Sequence, residues 1–107
     1  MVSTTADVMR LKLPTDEMIL QELLDGRNLA ANMAAEIGRS RNYVNQRMPH
    51  LRDYGLVERV GPVQDLGLYE LTDRGEAALQ VIDRYDEVED FEALVERELG
   101  ESTNDGE

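Results

Sequence analysis

Three carboxamides and several arginines crowd together between positions 39 and 47. The stretch reads Arg39-Ser40-Arg41-Asn42-Tyr43-Val44-Asn45-Gln46-Arg47. An Asn or Gln side chain offers a donor beside an acceptor, which matches the exposed edge of adenine. An arginine fork matches the edge of guanine, or a phosphate. Each such bidentate pair discriminates between bases by about 1–3 kcal/mol. This chemistry needs the side chains to share one face of an element narrow enough for a major groove, and an α-helix is one. The same residue types also make an ordinary solvated helix face, with the arginines paired to Asp53 or Glu36.

The neighbouring residues supply such a helix. Ser40 is a favoured N-cap, and a phosphate contact at its hydroxyl is a further use. Val44, Met48 and Leu51 recur at four and three residues and predict a core-facing stripe. Asn42 and Gln46 then lie almost opposite Val44, with Asn45 and Tyr43 on the two flanks. Arg39, Arg41 and Arg47 are read as guanine or phosphate contacts. Tyr43 either touches a phosphate or thymine methyl or covers the edge of the core. Pro49 cannot donate to the Asn45 carbonyl, so a kink or an early helix end is expected there.

Other elements follow from caps and periodicity. Thr15 reads as the cap of a first helix with acids in its first turn and Met18, Ile19 and Leu23 on one face. Leu29 reads as a core plug on a short extended piece. Residues 30–37 predict a second helix that ends at Gly38, with Met33, Ala34 and Ile37 inward. Residues 56–60 and the Tyr69-Glu70-Leu71 alternation predict two strands around a Gly61-to-Gly67 loop. Thr72 caps a last helix. Leu79, Ile82, Tyr85, Val88, Phe91, Leu94, Val95 and Leu99 keep a helical spacing. One helix over 73–99 would be about 40 Å long, unless the acidic run 86–90 interrupts it. Residues 100–107 read as a disordered acidic tail.

Composition sets limits. With 107 residues the chain is one domain. It has no cysteine, which excludes disulfides, Cys-based zinc sites and thiol nucleophiles. His50 is alone and reads as a surface or satisfied histidine, so no metal, cofactor or enzyme activity is expected. The methionines read as packing. No apolar run approaches the roughly 20 residues of a membrane span or the form of a signal peptide, so a cytoplasmic protein is expected. The net charge is -12, with 11 basic and 23 acidic side chains and lysine used once. The charge is uneven. Residues 76–107 hold 12 acids and 2 bases, whereas residues 39–59 hold five arginines and two acids. Near 1 M salt, charge is screened over about 3 Å, so an acidic surface no longer repels DNA at a distance.

Helix, helix, short turn, capped helix, strand, loop, strand, capped helix is the order of a winged helix-turn-helix domain. The segments Gly55-Leu56-Val57-Glu58-Arg59 and Tyr69-Glu70-Leu71-Thr72-Asp73-Arg74-Gly75, with the Ser40-Arg41-Asn42-Tyr43-Val44 helix start, resemble the haloarchaeal phage-repressor-like winged-helix family. The resemblance spans residues 15–79. It implies an α+β fold with a three-helix core, a two-stranded wing hairpin and an added C-terminal helix. It also implies a DNA-binding transcriptional regulator, a dimeric repressor on double-stranded DNA. Under that reading residues 1–14 are an N-terminal arm and 15–75 the DNA-binding domain. Residues 76–99 are the dimer contact, with Phe91 and Leu94 turned to the second subunit. The wing departs from the pattern, because its tip offers Gln64 and Asp65 and no cation. Gln64 is left as a weak DNA contact. Two alternatives stand beside this reading: a protein-interaction module of the same fold, and a protein that coats DNA without reading bases.

Overall fold

The computed structural model describes residues 9–61 and 68–104. In chain order the elements are α1 (Thr15–Leu24), β1 (Asn28–Leu29), α2 (Ala30–Ile37), α3 (Arg41–Asp53), β2 (Val57–Arg59), β3 (Leu68–Leu71), α4 (Asp73–Gln80), a 3-10 helix (Ile82–Glu87) and α5 (Phe91–Asn104). The result is a small α+β protein. Its helices pack around one core, and its strands form an antiparallel sheet in the order β1-β3-β2.

The turn between α2 and α3 is set by local chemistry. Gly38 adopts φ 73° and ψ 29°, and its N–H and that of Arg39 donate back to the Ala35 and Ala34 carbonyls. Only glycine takes that left-handed state without a steric penalty. Two residues on, the Ser40 hydroxyl accepts from the Tyr43 N–H at 3.0 Å and starts α3. Val44, Met48 and Leu51 are fully buried, as their spacing predicts. Pro49 does not end the helix. It sits on the exposed side, where the Asn45 carbonyl that loses its helical donor faces water.

The sheet is larger than expected. β1 pairs with β3 through Asn28↔Tyr69 and Leu29↔Leu68, and β2 pairs with β3 from Val57↔Leu71 to Arg59↔Tyr69. Leu29 lies on an edge strand and is 38% exposed, so it is not the core plug the sequence suggests. Thr15 also differs. Helix α1 starts after Pro14 with no side-chain cap, and the Thr15 hydroxyl instead accepts from Arg39 Nε at 3.1 Å.

The C-terminal third takes the interrupted form of the two the sequence leaves open. The apolar spacing through residue 99 is two helices. They are joined by the 3-10 segment and a break at 88–90, and α5 folds back on α4. Phe91, Leu94 and Val95 are 4%, 7% and 0% exposed within the chain's own core. They are therefore not free for a second subunit. Tyr85 holds the bend, with its ring edge-on to Phe91 at 5.0 Å and its hydroxyl accepting from the Leu11 N–H. The backbone stays helical to Asn104, past the point where the composition suggests a tail.

One short segment ties these pieces together. The Thr72 hydroxyl caps α4 at the Gly75 N–H and donates to the Gly55 carbonyl at 2.6 Å. Arg74 donates to the Tyr54 carbonyl and pairs with Glu92 and Glu96 of α5. At Gly75 a Cβ would stand 2.2 Å from the Leu56 carbonyl oxygen and 2.5 Å from a Leu71 methyl. Gly75→Ala is therefore expected to destabilise the fold by about 2–3 kcal/mol through overpacking against backbone. At Gly100 nothing lies within 4 Å. Gly100→Ala in α5 should be neutral or stabilising by up to about 1 kcal/mol. Denaturant melts of the two variants check the contrast.

Candidate nucleic-acid interface

α3 presents one side to the core and the other to solvent. Val44, Arg47, Met48 and Leu51 are buried; Arg41, Asn42, Asn45, Gln46, Pro49 and His50 are exposed. Asn42 and Gln46 project most directly outward. Arg41, Asn45 and Arg52 share one flank, while half-buried Tyr43 and His50 lie on the other. Among the described residues the side chains of Arg41, Asn42, Asn45, Gln46 and Arg52 have no hydrogen-bond or ion-pair partner. Ser40 is exposed and engaged as the cap, and Arg39 is half-buried against Thr15. The structure thus brings Arg39, Ser40, Arg41, Asn42, Tyr43, Asn45 and Gln46 to one surface. Gln64 lies outside the described residues.

Arg47 is the correction. It is 7% exposed and points inward rather than toward a DNA partner. Its Nε and Nη2 donate to the two oxygens of Asp16 at 3.0 and 2.9 Å, and Asp16 is itself fully buried. The Lys12 N–H donates to the same carboxylate at 2.7 Å, and the Arg10 carbonyl accepts from Arg47 Nη2 at 3.4 Å. The hydrogen bonds it donates to Asp16 raise the Arg47 pKa above its ordinary value, so the guanidinium stays charged throughout. The spacing carried this signal. Val44, Arg47, Met48 and Leu51 are the i, i+3, i+4, i+7 positions of one helix face, so Arg47 stands where a core residue belongs. The same geometry identifies Arg52, outside the sequence-based set, on the flank of Arg41 and Asn45.

The hairpin beside α3 carries the opposite charge. Glu58 and Glu70 face each other across β2 and β3. Arg27 donates to Glu70 at 2.9 Å and, with Glu58, holds that carboxyl below its ordinary value. The hydrogen bond to Glu70 pushes Glu58 up. Arg59 lies over the Tyr69 ring, 6.0 Å from its centre. Among the described residues no group of three metal-ligating side chains comes together, and no helix is long and apolar enough to cross a membrane.

No family model matches the chain, and neither a characterised protein nor a solved structure is significantly similar to it.

Two tests address these interactions. Removing one partner of the buried pair strands a charge, so Asp16→Ala or Arg47→Ala should each lower stability by about 3–5 kcal/mol. An Asp16→Leu/Arg47→Met double variant should lose far less than the sum, as chemical denaturation will show. Glu58 gives a pH test. Its folded pKa is raised, so its favourable contribution is complete at low pH and lost as pH rises through the raised value. Glu58→Gln should therefore melt above wild type at pH 7. That gap should close as pH falls toward the ordinary glutamate value of about 4.3.

Proposed function

We propose that this chain is a winged helix-turn-helix transcriptional regulator that binds double-stranded DNA with α3 in the major groove. One observation carries the reading. On a helix whose inner face is locked, Asn42, Asn45 and Gln46 are exposed and, like Arg41 beside them, have no side-chain partner among the described residues. Amides and guanidinium forks on the outer face of a capped helix are the groups that read adenine and guanine edges. Arg39, Arg52, Ser40 and Tyr43 surround them as phosphate contacts that set position without reading sequence.

The order of elements supports the same reading. Two helices with a three-residue turn precede a hairpin, and a third helix packs behind them. After α3, β2 and β3 pair antiparallel, in the position in the element order that a wing hairpin would take. Repression by operator occupancy needs a paired half-site, which a homodimer supplies. The two-fold contact must use a surface other than Phe91, Leu94 and Val95.

Selection of a preferred site from random duplexes, followed by titration in molar potassium chloride, tests the proposal. Asn42→Ala and Gln46→Ala should each weaken the preferred site by about 1–3 kcal/mol more than random DNA. Equal loss on both would leave a coating protein that holds phosphates alone. Absence of any DNA binding would leave a protein-interaction module.

A further inference from the structure

The distribution of paired and unpaired cations carries more information than α3 alone. In a chain of net charge -12, several arginines are neutralised by carboxylates. Arg27 holds Glu70, Arg74 holds Glu92 and Glu96, Arg84 lies 4.0 Å from Glu87, and Arg47 is buried against Asp16. The exposed cations with no carboxylate within ion-pair distance among the described residues are Arg10, Lys12, Arg41, Arg52 and Arg97. Only Arg97 lies away from α3. Arg41 and Arg52 belong to one flank of that helix. Arg10 and Lys12 belong to a different part of the sequence, yet the structure brings them to its other flank.

The backbone of residues 10–12 is fastened there by several bonds. The Arg10 carbonyl accepts from the Tyr54 hydroxyl at 3.0 Å and from Arg47. The Leu11 N–H donates to the Tyr85 hydroxyl at 3.0 Å, and Leu11 is buried. The Lys12 N–H donates to Asp16, whose own N–H returns a bond to the Lys12 carbonyl. Only the side chains of Arg10 and Lys12 are left exposed. Arg47 and Tyr54 lie on the Tyr43–His50 side of α3, opposite Arg41 and Arg52. The backbone that carries Arg10 and Lys12 therefore lies on the flank of α3 opposite Arg41 and Arg52, where Arg10 also lines a cleft with Asp86 and Glu89. A helix in a major groove runs between two phosphate ridges, and cations are favoured partners for both.

We infer that Arg10 and Lys12 are a second phosphate-binding site. They hold the DNA backbone on the flank of α3 opposite Arg41 and Arg52 and supply the ridge contact there. The inference rests on the proposed placing of α3 in the major groove. It assigns a binding role to a segment that precedes α1 and shares no helix with the reading residues. Its contacts are to phosphate alone. They add affinity and salt sensitivity and leave base preference unchanged.

The experiment is a fluorescence-anisotropy titration of the full chain on two labelled duplexes, the selected preferred site and a random sequence. It is repeated over a series of potassium chloride concentrations. Arg10→Gln/Lys12→Gln should weaken both duplexes by the same factor. It should also make the plot of log K against log salt shallower by about 1.8, from two lost contacts at about 0.9 each. Arg10→Lys keeps the charge and should keep the slope. Among the described residues the exposed ends of these side chains have no hydrogen-bond or ion-pair partner, so the melting temperature should not change, and a thermal melt checks this. A wild type that binds DNA alongside a double variant of unchanged slope overturns this inference and leaves the proposed function standing. A selective loss on the preferred duplex also overturns it, because the two residues would then read bases. A wild type that binds neither duplex overturns both.

Discussion

Asp16 and Arg47 form the contact on which the rest of the molecule turns. Taking a carboxylate and a guanidinium out of water costs several kcal/mol for each ion, and a single hydrogen bond would not offset that. Here the pair is bidentate, the carboxylate also receives the Lys12 N–H, and the guanidinium also donates to the Arg10 carbonyl. Among the described residues no buried side-chain nitrogen or oxygen is left without a partner. One interaction thereby joins the segment before α1, the first turn of α1 and the second turn of α3. It also fixes the rotation of α3 about its own axis. With Arg47 held inward beside Val44 and Met48, Asn42 and Gln46 must point out. A hydrophobic residue at 47 would pack, but it would not select one angular setting over a neighbouring one so sharply. Buried ion pairs are best attested in this role of fixing register, and their net contribution to stability is smaller.

A second set of contacts secures the far end of α3. Arg74 reaches the Tyr54 carbonyl just past the helix and at the same time holds two glutamates of α5. Thr72 caps α4 and donates to the Gly55 carbonyl in the turn that follows α3. The Thr-Asp-Arg-Gly segment is thus explained by structure alone. Its threonine is a cap, its arginine a clamp, and its glycine leaves room for the Leu56 carbonyl. These residues carried much of the family resemblance. They speak to how α3 is held and say nothing of what it touches.

The elements were legible where local chemistry decides them. Ser40, Gly38 and Thr72 mark helix ends by capping and backbone conformation, and the core residues of α1, α2 and α3 follow from spacing. The misreadings have physical causes. Asn28–Leu29 is a strand of two residues, too short to show alternation, and it exists only because β3 lies beside it. The apolar spacing of 79–99 persists through the break at 88–90. Periodicity reports which side chains are buried and cannot report that the chain has turned back on itself. Tyr85 against Phe91 is a contact across that bend, which one continuous helix would not require. Arg47 was misplaced because its charge outweighed its position. In the candidate interface, residue type located the outward amides. The bracketing cations at 10 and 12 were hidden because only the fold brings them to α3.

The proposed DNA partner sits beside an acidic chain, and charge and geometry together bear on that conflict. The acids of residues 76–104 belong to α4, the 3-10 segment, the break at 88–90 and α5, and Glu92 and Glu96 hold Arg74. The Glu58–Glu70 pair sits on the hairpin, where Arg27 offsets one of the two charges. Apart from Arg97, the exposed cations with no carboxylate within ion-pair distance among the described residues belong to α3 or to residues 10–12 beside it. A molecule built this way has a large negative net charge and a locally positive face. In dilute salt the net charge governs and repels a polyanion at range. In molar salt the screening length falls to about 3 Å, and only groups within contact distance of a phosphate count. Under the proposed function, the four cations beside α3 then count for more than acids that lie beyond that distance from a phosphate. The composition that argues against nucleic-acid binding in ordinary buffer therefore loses its force in concentrated salt. What decides the matter there is the arrangement around α3.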